Sequence, residues 1–137
     1  MNIVLATLDD LDQIWNLRLE TTELLKQRGI DQWQYKDPAQ EIFIKDILNH
    51  EFYVVKDDLG SILGMMSLKE GIEFTYNIIF DGSWRLNVPY LTIHRLAVKQ
   101  SHLGSDIAKQ LMKHSEIIAL KKNVPYIRID THEKNKY

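Results

Sequence analysis

Cysteine is absent from this chain of 137 residues, which excludes disulfides, thiolate metal sites and a thiol nucleophile together. An excess of basic charge is absent too. Seventeen Lys and Arg stand against 19 Asp and Glu, a formal net charge of −2, so the electrostatic footprint of a nucleic-acid or anionic-membrane partner is missing. No apolar run approaches membrane-spanning length, and the N-terminus carries no basic region followed by an apolar stretch. The expectation is a soluble, cytoplasmic protein. Repeats, low-complexity tracts and linkers are lacking, and no His/Asp/Glu spacing suggests a metal. What is present is 45% hydrophobic content, enough for one domain with a real core over residues 1–137.

The order of elements is legible from periodicity and punctuation. Asn2 to Ala6 reads as a first strand. Thr7 then opens a helix as N-cap, with Asp10 at the capping-box position. Ile14, Leu17, Leu24 and Leu25 recur at helical spacing to Gln27, Leu11 and Trp15 widen the stripe, and Arg28-Gly29 supplies the stop. Gly29 to Lys36 is a connector whose Trp33 and Tyr35 either line a substrate pocket or seal the helix pair against the sheet. Asp37-Pro38-Ala39-Gln40 predicts the next helix, with Asp37 as N-cap and a buried face of Phe43, Ile44, Ile47 and Leu48, stopping near Asn49-His50.

Phe52 to Lys56 and Ile62 to Leu68 are predicted strands joined by the hairpin turn Asp57-Asp58-Leu59-Gly60, and Gly64 marks a bulge or a close backbone approach. Lys69 to Pro89 lacks clean periodicity and reads as a long connector. Its Phe74, Tyr76, Phe80 and Trp84 form either a wall of the substrate site or a cover on the sheet edge. Leu91 to Val98 is the predicted central strand, Ile107 to Lys121 a helix, and Tyr126 to Thr131 a last strand, parallel to Leu91–Val98 through a right-handed crossover. With a helix on one side only, such a sheet would leave an apolar face to be covered, by a homodimer partner or by further chain.

The stretch Leu91 to Leu111 carries the chemistry. A strand ending Leu96-Ala97-Val98 passes through a polar turn into a helix, and the free N–H groups and positive dipole of a helix N-terminus favour a phosphate there. This stretch resembles the GNAT superfamily of acetyl-CoA-dependent N-acetyltransferases. Its signature strand ends Leu-Ala-Val, and five residues past that Val begins a loop Arg/Gln-x-x-Gly-x-Gly/Ala opening a helix. The corresponding residues are Leu103, Gly104, Ser105, Asp106, Ile107 and Ala108. Ala108 fits its position outright, whereas Leu103 replaces Arg or Gln and Asp106 replaces Gly.

The resemblance implies an α/β (α+β) mixed sheet in the order β-α-α-β-β-β-α-β, with the family's usual final helix and hairpin missing and the domain incomplete at the C-terminus. It implies acetyl-CoA as co-substrate and a small-molecule or peptide amine as acceptor. The backbones of Leu96, Ala97 and Val98 would hold the pantetheine, and the amides of Leu103 to Ala108 the pyrophosphate. Asn135, in a segment similar to the start of the missing helix, is implied as a further contact.

His94 is the titratable candidate for proton removal. By period-two alternation it shares a face with Thr92, Leu96 and Val98, and arylalkylamine members of the superfamily carry His at the positions of both Thr92 and His94. Three functional readings stay open: an N-acetyltransferase, a weak or non-catalytic acyl-CoA-binding relative, and an interaction module on the same fold. Asp106 bears on the second. It puts a negative charge beside a diphosphate, yet it is also an ordinary helix N-cap, and Lys99 and Lys109 flank the loop.

Overall fold

The computed structural model describes residues 1–27, 29, 39–79 and 82–129. Five strands, β1 (Asn2–Leu5), β2 (Phe52–Lys56), β3 (Ile62–Ile79), β4 (Gly82–Val98) and β5 (Tyr126–Ile129), form one sheet in sequence order. β1 to β4 are antiparallel neighbours and β5 joins β4 in parallel. The middle strand is thus β3, and Leu91–Val98 lies between it and β5. The α-helices among the described residues are α1 (Leu11–Gln27), α2 (Gln40–Leu48) and α3 (Ile107–Lys121).

Local chemistry explains the starts and stops. The Thr7 amide donates to the Asp10 carboxylate at 2.9 Å, closing the expected capping box, and a 3-10 turn over Leu8–Asp10 leads into α1. Gly29 ends that helix at φ +73°, where a Cβ would be strained. In the β2–β3 turn Asp57 Oδ1 accepts from the amides of Leu59 and Ser61, both at 2.9 Å, and Gly60 sits at φ +82°. α2 begins at Gln40 with extended Ala39 at the N-cap, later than a start at Asp37 would give. Asp37 and Pro38, with Trp33 and Tyr35, lie outside the described residues.

Two of the sequence expectations are corrected. Lys69 to Pro89 is for the most part a long hairpin, with β3 and β4 in register from Glu70↔Leu91 to Ile79↔Gly82. The pairing is set by the facing strand, a partner that local sequence pattern does not identify. Phe80 lies outside the described residues, as does the placement of the Phe74, Tyr76 and Trp84 side chains.

The second correction concerns the open face, because both sides of the sheet are covered. Phe43 and Ile47 of α2 and Ile14 and Leu17 of α1 bury one face against Phe52, Val54, Met65 and Ala97. Ile107, Leu111 and Ala119 of α3 bury the other against Val55, Leu63, Met66, Leu91 and Ile93. The β4–α3–β5 crossover puts α3 opposite the first two helices. Among the described side chains, the exposed large apolar residues on the sheet lie on its outer strands, Val4 and Leu5 on β1 and Tyr126 and Ile129 on β5.

Candidate functional site: strand β4 and the loop before α3

β4 changes character at Ile93. Up to that residue it is paired on both sides, with β3 and with β5 through Tyr90↔Tyr126, Leu91↔Ile127, Thr92↔Arg128 and Ile93↔Ile129. Beyond Ile93 the described β5 partners stop. The remaining turns of backbone, His94 to Val98, keep β3 on one side and run toward the loop before α3.

At the same point the strand carries a bulge. Ser67 pairs with His94 and Met65 with Ala97, so Met66 alone faces both Arg95 and Leu96. Arg95 sits at φ +53°, a region non-glycine residues seldom adopt. The extra residue changes which side chains share a face. His94 and Ala97 fall on the side of Ser67 and Met65, toward α1 and α2, while Leu96 and Val98 pack toward α3 with Leu91 and Ile93. His94 therefore does not share a face with Leu96 and Val98, as strict alternation predicts. It is half-buried.

The bulge is tied to α2 by charge. Arg95 pairs through Nη2 with the fully buried carboxylate of Asp46, and the same nitrogen donates to Ser67 Oγ at 3.2 Å. Lys69 Nζ stands 3.1 Å from the other Asp46 oxygen. The Arg95 guanidinium lies 6.0 Å from the Phe43 ring, which packs edge-on against Trp15 and Phe52. Sequence reading missed Asp46 and Arg95 as a pair, since 49 residues separate them and each alone looks like surface charge. The signal that was available is Asp46 at i+3 from Phe43 on the buried stripe of α2.

Past Val98 the Lys99 amide donates to Leu63 O at 2.8 Å, and the Gln100 amide donates to a Glu20 carboxylate oxygen at 2.8 Å, which fastens the start of the loop to α1. A 3-10 turn over Gln100–His102 leads to Gly104 at φ +81°. No atom lies within 4 Å of where a Gly104 Cβ would stand, so the loop is open to solvent there. Asp106 occupies the N-cap of α3 and its carbonyl accepts from Gln110 at 2.9 Å, but its side chain makes no cap bond. The carboxylate is exposed, and Ser105 Oγ stands 3.5 Å from the Ile107 amide instead. Ala108 and Lys109 are first-turn residues whose amides have no intrahelical acceptor. The structure thus brings His94, Leu96, Ala97, Val98 and the 103–108 loop to one end of the sheet. Asn135 lies outside the described residues. Among the described residues no cluster of metal-ligating side chains is found.

The sequence matches the Acetyltransferase (GNAT) family over residues 11–137. The chain belongs to that family. Solved structures share its fold. A Bacillus halodurans protein, BH1408, superposes with a TM-score of 0.76 at 18% identity, covering 99% of this chain and 85% of that one. A GNAT-family acetyltransferase from Listeria monocytogenes gives 0.70 at 22% identity, covering 98% and 78%. The PaiA N-acetyltransferase of Thermoplasma acidophilum, solved in complex with coenzyme A, gives 0.70 at 20% identity, covering 98% and 81%. No curated protein matches the sequence. In this GNAT domain the five-stranded mixed sheet with its three helices is the fold the family resemblance implied.

Proposed function

We propose that this GNAT protein is an N-acetyltransferase that moves an acetyl group from acetyl-CoA to an amine of a small molecule or peptide. The observation that carries the reading is the β4 bulge at Arg95, followed by a loop that delivers first-turn amides with no intrahelical acceptor at the start of α3. A strand edge is suited to hydrogen-bond the amide groups of a pantetheine arm, and the α3 N-terminus to hold a diphosphate. Both needs are met by backbone, so the departures at Leu103 and Asp106 leave the donors in place.

In this reading Leu96, Ala97 and Val98 present the strand edge, and Leu103 to Ala108 present the loop amides. Bound acetyl-CoA supplies the activated thioester. His94 accepts the proton that the amine sheds, directly or across one water. The C–N bond forms as the C–S bond breaks, and the thiolate takes up a proton. His94→Gln is expected to lower kcat by about a hundredfold with CoA affinity unchanged. An unchanged kcat would remove His94 from the reaction.

A second reading, an acyl-CoA-binding protein with little turnover, is favoured by the exposed Asp106 carboxylate at the loop. Calorimetry with acetyl-CoA tests the binding common to both readings. Thiol release over a panel of amines separates them.

A further inference from the structure

We propose that the Asp46–Arg95 pair is the positioning device of the transfer site: an anchor on α2 that holds the β4 bulge and so sets the strand edge offered to the acyl-CoA. The inference rests on the acetyl-transfer reading above.

Three observations converge on one place. The bulge falls between His94 and Ala97, in the part of β4 that runs on to the loop before α3, so whatever fixes the bulge also fixes the course of the strand edge offered there. Its extra residue is an arginine at φ +53°, a conformation that costs free energy for any residue with a Cβ and persists only when the surroundings impose it. The imposing contacts are all from that one side chain. Its guanidinium reaches the Asp46 carboxylate and the Ser67 hydroxyl and lies against the Phe43 ring, so it joins β4 to α2 and to β3 at once.

Burial makes the anchor stringent. Asp46 has no exposed surface and Arg95 is mostly covered, and a buried carboxylate that lost its partner would be left with Lys69 alone. Glycine would be the ordinary choice at a positive φ, and it would permit the bulge without holding it. An arginine there trades backbone ease for a fixed attachment. Because the attachment is to α2, displacement of that helix is passed to the strand edge, and neither residue needs to touch the reacting atoms.

The test uses the full chain with the neutral pair Asp46→Asn/Arg95→Gln, which keeps polar side chains at both positions while removing both charges and the reach of the guanidinium, and with Arg95→Gly as a second variant should the pair fail to fold. Amide hydrogen exchange, thermal unfolding and CoA binding by calorimetry are measured below the unfolding transition. The expected result is exchange at His94 to Ala97 faster by at least tenfold, with the rest of β4 unchanged, and CoA affinity weaker by at least tenfold. Wild-type exchange and wild-type CoA affinity in a folded variant overturn the anchor, whatever the loss of Tm. A wild-type chain that does not bind CoA at millimolar concentration overturns the acetyl-transfer reading, and with it the role assigned to the pair.

Discussion

At single positions the fold is governed by how closely backbones approach. A Cβ at Gly64 would stand 2.6 Å from Ile107 Cγ2 and 3.3 Å from the Ala97 carbonyl, and the methyl it would strike belongs to a β-branched side chain with little freedom to turn away. Gly64→Ala is therefore expected to destabilise the protein by about 1–3 kcal/mol, the usual cost of overpacking, read as a fall in denaturant midpoint. Asp106 is the opposite case, an exposed residue whose substitution should matter to ligand and not to fold. Asp106→Gly removes a like charge and a Cβ from the diphosphate loop, and CoA affinity is expected to rise roughly three- to tenfold by calorimetry. Equal affinity would mean that the carboxylate points away from the ligand.

Elements are held by pairings that titrate in separate windows. On α3, His114 packs edge-on against Tyr53 of β2 at 5.2 Å, and burial, then the charge of Lys121, holds its imidazolium below the ordinary value of 6.5. The folded state prefers neutral His114, so this contribution is complete above pH 6.5 and is lost as pH falls below it. His114→Gln should flatten that part of the stability profile in urea titrations from pH 7.5 to 5.

At the start of α1 burial pushes the Asp10 carboxyl up, but Lys56, 2.8 Å away, and the Thr7 amide outweigh it and hold the group below 3.8. Its contribution is present above that value and lost as pH falls through the lower folded pKa. Asp10→Ala should cost about 1 kcal/mol at pH 7, the order of a capping interaction, and less as pH falls through the lowered folded pKa.

Much of this scale was legible beforehand. Thr7 with Asp10, the Asp57–Gly60 turn and the bounds Ile107–Lys121 follow from local chemistry, which a sequence states outright. The β3–β4 hairpin, the facing of His94 and the Asp46–Arg95 pair were not legible. Each depends on a partner supplied by another strand or helix, which local pattern marks only faintly and does not identify.

For the molecule as a whole, the sheet is a shared layer between two cores, one built on α1 and α2 and the other on α3. Phe43 stands at the centre of the first, fully buried, with Trp15 and Phe52 on its ring and the Arg95 guanidinium close by. Phe43→Ala is expected to cost about 3–5 kcal/mol, and since strands such as β2 donate side chains to both cores, loss of one should take the other with it. Coincident melting by tryptophan fluorescence and far-ultraviolet circular dichroism would bear this out, whereas two separated transitions would show the halves to be independent.

The bulge also leaves a signature in the spelling of β4. Leu91 and Ile93 are odd-numbered, Leu96 and Val98 even, yet all four serve the α3 core. Two alternating patterns of opposite parity are spliced at Arg95, and the splice is a phase slip of one residue. Such a strand has an arithmetic of tolerated lengths. Losing one residue between Ile93 and Leu96 would bring the two halves into one regular alternation, with both apolar pairs on the α3 side and no bulge required, whereas gaining two would preserve the slip and with it the need for a bulge. Sequences that keep the bulge should then vary in length at the splice by even steps.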